Sequence, residues 1–81
     1  MKNNSYIGKL CELNINRTVF AINGQRLAVL LDLYKGDPVI ILKVKQGNSQ
    51  KEYKVLTENG TIGWIIAYKA LEFEKVFHLH P

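Results

Sequence analysis

Glu52-Tyr53-Lys54-Val55-Leu56-Thr57-Glu58-Asn59-Gly60-Thr61-Ile62-Gly63-Trp64-Ile65-Ile66 is the stretch on which the fold turns. Two short runs rich in β-branched and aromatic residues, 52–57 and 61–66, flank Asn59-Gly60. That dipeptide tolerates positive φ and therefore predicts a tight hairpin, with a type I′ turn as the first expectation. Asn23-Gly24 repeats the signal upstream, between 18–22 and 25–31. Lys35-Gly36-Asp37-Pro38 and Gln46-Gly47-Asn48-Ser49 add further turn chemistry. Short alternating segments punctuated roughly every dozen residues read as all-β, a small antiparallel barrel or sandwich.

Outward from that hairpin, the other segments fall into place. Val39-Ile40-Ile41-Leu42 opens a strand over 39–45 that then alternates, with Lys43 and Lys45 outward around Val44. Residues 6–15 put Ile7, Cys11, Leu13 and Ile15 on one side. A last strand over 72–78 would bring Phe73 and Phe77 to the core. One segment admits two readings. Leu27, Leu30, Leu31 and Tyr34 stand at i, i+3, i+4 and i+7 with Gly36 placed like a C-cap, which suits a short helix over 25–35. β-branched Val29 and the turn character of Asn23-Gly24 favour a strand followed by a turn. Gly63 inside its strand points to a bulge or a close backbone approach.

Composition narrows the class. At 81 residues there is room for one domain, residues 1–81, and 47% apolar against 22% charged residues is the balance of a folded chain. The longest clean apolar run, 27–31, is far short of the roughly 18–20 residues that span a bilayer. Met1-Lys2-Asn3-Asn4-Ser5 leads into no apolar signal region, and a lone Cys11 rules out an internal disulfide framework and a thiolate-rich zinc site. The expected location is the cytoplasm. Eleven basic residues outweigh seven acidic ones for a net charge of +4, but nine are Lys and only Arg17 and Arg26 are Arg. Because Arg is the bidentate reader of phosphate and base edges, the excess permits an acidic partner without requiring one.

Leu31-x-Leu33-x-Lys35-Gly36-Asp37-x-Val39-x-Ile41-Leu42 resembles the diverging-turn signature of Src-homology-3 (SH3) domains. Tyr53-Lys54-Val55-x5-Gly60-x2-Gly63-Trp64-Ile65 is similar to the second half of the bacterial variety of that domain, and Leu13-Asn14-Ile15-Asn16-Arg17 to its opening. The chain also resembles small stand-alone SH3-like proteins of bacteria and their phages, which would make the cytoplasm that of a host. The resemblance implies an SH3-like antiparallel β-barrel, here with an extra N-terminal hairpin, that recognises a partner instead of catalysing a reaction. Two positions depart from the polyproline-reading members: Glu52 stands where their groove Trp would be, and Ile66 where a Pro would follow. A PxxP groove is therefore not expected.

No catalytic constellation emerges from Cys11, Ser5 and Ser49 on one hand and His78 and His80 at the far terminus on the other. The expectation is a non-enzymatic module with no cofactor, no metal site, no membrane and no small-molecule substrate; Cys11 reads as a small buried hydrophobe and the histidines as a solvated tail. Trp64, Tyr68, Tyr53 and Tyr34 are the candidate partner-binding residues, aromatics suited to a surface that is apolar on one side and wet on the other. Lys43, Lys45, Lys51 and Lys54 are the candidate contacts for the alternative, a nucleic-acid-binding small barrel in which lysines neutralise phosphates beside stacking aromatics. Apolar residues on both sides of 18–31 exceed what one small barrel can bury, so self-association, a dimer, is expected as well.

Overall fold

The computed structural model describes residues 6–79. Its strands are β1 (Leu10–Leu13), β2 (Arg17–Asn23), β3 (Arg26–Leu33), β4 (Pro38–Gln46), β5 (Gln50–Thr57), β6 (Ile62–Tyr68) and β7 (Phe77–Leu79), with a one-turn helix α1 (Phe73–Val76) before the last. They form a single antiparallel sheet in the order β3-β2-β6-β5-β4-β1-β7. β5 shows how the pattern builds it: Lys51, Tyr53, Val55 and Thr57 are buried while the residues between them are half-covered. Alternation of period two puts each set on its own face. The inner face collects Cys11, Leu13, Val19, Leu33, Val39, Ile41, Tyr53, Val55, Ile65 and Ala67 into one core with Phe73, Val76 and Phe77.

Several expectations change in detail. The barrel is not closed: β3 and β7 end the sheet without pairing to each other among the described residues. The reason lies in the ends, since β7 has only three residues and β3 exposes its first five. The hairpin expected over 18–31 is β2–β3, which follows β1 and joins the rest of the sheet through β6. Residues 25–35 are strand and turn, not helix. The Asp37 carboxylate closes that turn by accepting the Tyr34 N–H at 2.8 Å. The first strand is shorter than 6–15, because the chain bends before it: the Lys9 N–H donates to the Tyr6 carbonyl at 3.1 Å and the Gly8 N–H to Ile41 at 2.7 Å. At the tail, Phe73, Val76 and Phe77 are all buried at i, i+3 and i+4, so a helical turn replaces the first half of the expected strand.

The hairpin turns also differ from the expected type. Asn23 pairs with Arg26, leaving Gly24-Gln25 as the two-residue loop. Only Gly24 has positive φ there (63°), which is the sign pattern of a II′ turn. Among the described residues no helix is long and apolar enough to cross a membrane.

Candidate docking surface

Burial alternates along β6, with Gly63, Ile65 and Ala67 turned inward. Ile62, Trp64, Ile66 and Tyr68 therefore stand on the opposite face. Trp64 lies opposite Lys54 on β5 and Phe20 on β2; Lys54 lies opposite Lys43, and Phe20 opposite Val29. Directly opposed residues share a face, so Lys43, Lys54, Trp64, Phe20 and Val29 make one row across five strands. Trp64 is half-buried in this row, outside the core, with Lys45 Nζ 5.5 Å from its ring centre. Lys45 also approaches the Glu52 carboxylate at 4.0 Å.

Beside the row a groove of about 690 Å³ runs between the tip of the β2–β3 hairpin and the β4–β5 loop. Phe20, Ile22, Leu27 and Ile66 give it an apolar lining, Arg17 and Glu52 add opposite charges, and Tyr68 lines it while remaining 79% exposed. Its walls are fixed by backbone bonds. The Lys69 N–H donates to the Ser49 carbonyl at 3.0 Å, tying the β4–β5 loop to the end of β6, and the Gly47 N–H donates to Gln50 at 2.8 Å. Arg17 uses Nη1 on the Asn16 carbonyl (3.1 Å), and its buried Nε has no acceptor among the described residues. Apolar walls with a few polar groups, in a volume within the roughly 300–1,000 Å³ typical of binding clefts, suit a ligand with both kinds of surface.

The four aromatic candidates do not converge. Tyr68 lines the groove and Trp64 shares its face. Tyr34 is exposed in the turn before β4, where it lines a separate cleft with Asp37, Pro38 and Glu58. Tyr53 is a correction: it is fully buried on the inner face, edge-on to Phe73 and Phe77, and takes no part in any outer surface. Lys51 is a second correction, for it alternates with Tyr53 and is buried too, paired across the sheet with Gln46 and Ala67. Charge suggested an outward side chain, but a long aliphatic stem lets lysine occupy an inner position. Of the candidate cationic patch, Lys43 and Lys54 stand opposite each other with no carboxylate partner among the described residues, while Lys45 is engaged by Glu52. Arg17, Ile22 and Leu27 belong to the groove but carried no individual signal; the excess of apolar residues in 18–31 was the clue.

Chemistry elsewhere is muted. Burial pushes the Cys11 thiol up from its ordinary range, which disfavours the nucleophilic thiolate. Burial, reinforced by the Glu74 carboxylate, pushes the Tyr53 phenol up to about 12. His78 is exposed, as expected of a tail, but its side chain is also held by neighbours. Its Nε2 meets Glu12 Oε1 at 3.0 Å, its Nδ1 meets Asn14 Oδ1, and the Asn14 Nδ2 donates to the Glu74 carbonyl at 2.7 Å. The strand β7 is thus tied to β1 by side chains as well as backbone. His80 and Ser5 lie outside the described residues. Among the described residues no three His, Cys, Asp or Glu side chains gather as metal ligands. Compared with protein-family models, with curated proteins and with solved structures, the chain matches none.

Proposed function

We propose that this chain is a non-enzymatic docking module, an SH3-like small barrel that holds a segment of a protein partner in the groove between the β2–β3 hairpin and the β4–β5 loop. The groove itself carries the reading: an apolar trough bordered by Arg17, Glu52 and Tyr68, with walls pinned by backbone hydrogen bonds. The strand path supports the SH3-like assignment, since a β4-β5-β6 meander is flanked by β1 and β7 on one side and by a hairpin inserted after β1 on the other. An extended segment with apolar side chains and a charged flank fits this lining. Selection from a random peptide library supplies the probe. Enriched peptides are expected to lose about tenfold or more in affinity on Tyr68→Ala, since an aromatic at a groove commonly carries that much. The exposure of Tyr68 means that melting should not change. Failure to enrich any peptide, or binding indifferent to Tyr68→Ala and Glu52→Gln, would remove the groove from consideration.

A second reading, capture of single-stranded nucleic acid, is favoured by one observation: Lys43 and Lys54, without a carboxylate partner among the described residues, stand in line with Trp64 and Phe20. Like charges directly opposite each other cost stability unless something anionic lies over them. Fluorescence anisotropy with a labelled oligonucleotide should then show binding that weakens steeply as salt rises and that Lys43→Gln with Lys54→Gln abolishes. No binding at about 50 mM salt would end this reading.

A further inference from the structure

We infer that the groove takes an acidic segment: an extended stretch of a protein partner in which an Asp or Glu side chain meets Arg17 while apolar neighbours pack against Phe20, Ile22, Leu27 and Ile66. This rests on the groove reading and adds the charge of its ligand. Arg17 and Glu52 bring opposite charges to the lining, and they differ in how far the protein itself satisfies them. Glu52 is engaged at both oxygens: Oε1 lies 4.0 Å from Lys45 Nζ, and Oε2 accepts from Gln50 Nε2 at 2.9 Å. Arg17 has no such counterpart. Its Nη1 donates to the Asn16 carbonyl at 3.1 Å, its Nε–H is cut off from solvent with no acceptor, and no carboxylate pairs with it among the described residues. Asp32, which shares a smaller cleft with Arg17, is taken by the Thr18 hydroxyl at 2.8 Å.

Charge complementarity therefore selects the ligand. A guanidinium offers five N–H donors in a planar fork that matches a carboxylate. Half-covered and without a counter-charge, Arg17 is stabilised by gaining one. A cationic segment would have to displace Lys45 or Gln50 from Glu52 and would lie beside the uncompensated Arg17. The net charge of +4 adds a general field of the same sign. A side-chain carboxylate fits better than a chain-terminal one. A terminus is commonly held by consecutive backbone N–H groups, and those of Gly47 and Lys69 at the groove wall already bond to Gln50 and Ser49. In an extended ligand residues two apart share a side, so acidic and apolar side chains at that spacing enter together.

Peptides enriched from a random library by the wild-type protein are the probes, each resynthesised with its Asp and Glu residues changed to Asn and Gln. The acidic peptide should bind about tenfold or more tightly than its amide twin, as a charge-assisted pair in a partly covered site does. The difference should shrink as salt rises. Arg17→Gln should weaken the acidic peptide by a similar factor and leave the amide twin unchanged, a coupling that a general loosening of the fold would not produce. Glu52→Gln should not weaken the acidic peptide. The comparison of acid with amide uses the unaltered protein, so it decides the matter even if Arg17→Gln melts early. Enriched peptides that lack Asp and Glu, or an amide twin that binds as well as its acid, overturn the inference; the groove reading survives them as long as Tyr68→Ala still weakens binding. Peptides rich in Lys or Arg that need Glu52 reverse the sign and overturn it too. An oligonucleotide held through Arg17 in place of acidic peptides gives the site to phosphate, with the same result. No enrichment of any peptide ends both readings.

Discussion

Phe77→Ala is expected to lower the unfolding free energy by about 3–5 kcal/mol, the usual cost of truncating a buried phenylalanine. Phe77 has no exposed surface and belongs to an aromatic group centred on Phe73: it lies 5.0 Å from the Tyr53 ring at 74° and 5.1 Å from Phe73, which in turn lies 4.2 Å from Tyr6. These contacts join residues from the start, middle and end of the chain. They couple the N-terminal segment and β5 to α1 and β7, so the loss spreads beyond one cavity. A domain of this length holds about 4–12 kcal/mol in total, so the variant loses a quarter or more of its stability. Guanidinium titration followed by the fluorescence of the single Trp64 measures it.

Tyr53→Phe is the contrast within the same cluster. The Tyr53 hydroxyl is buried and has no hydrogen-bond partner among the described residues. Removing an unpaired buried hydroxyl while keeping the ring should be neutral or stabilising. Its pH signature has a definite sign. A phenol held up at about 12 in the folded state, against 10 in the unfolded one, stays protonated while the unfolded chain ionises. Stability is therefore whole below pH 10 and declines as pH rises from 10 toward 12, and Tyr53→Phe should remove its share of that decline.

Much of the architecture was legible because turns and alternation are local. Asn23-Gly24, Asn59-Gly60 and Gly36-Asp37 mark the chain reversals that appear, and alternation in the first segment put Cys11 and Leu13 together on the side that is buried. The failures share a cause, which is tertiary context. Phe73 and Phe77 suit a strand as well as a helical turn, and Val76 between them decides the matter only when the core is present to receive it. Tyr53 and Lys51 alternate with Glu52 and Lys54, but which pair faces inward depends on how β4 and β6 flank β5. Apart from the apolar excess over 18–31, the groove left no local trace. It joins residues near positions 17–27, 49–52 and 66–68, which only the folded sheet brings together. Both sides of the β2–β3 hairpin, by contrast, announced themselves as too apolar for a small core, and that excess is what lies in the groove and along the β3 edge.

Gly63→Ala is expected to cost about 3 kcal/mol, the upper part of the range for forcing a methyl into a packed site. A Cβ at Gly63 would lie 2.5 Å from Val19 Cγ1, 2.8 Å from Leu30 Cδ1 and 2.9 Å from the Phe20 carbonyl oxygen. The two side-chain atoms could rotate aside at a price in packing. The carbonyl cannot, because Phe20 and Trp64 form the register pair that joins β2 to β6. Relief therefore requires the hairpin to lift from the sheet. That movement would unseat Val19 from the core and open the groove together. Thermal melting should show the loss of stability, and the Trp64 emission should shift to the red as Phe20 withdraws. If Gly63→Ala melts like the wild type, the contact between hairpin and sheet is looser than these distances allow, and the groove loses the rigid support on which its specificity rests.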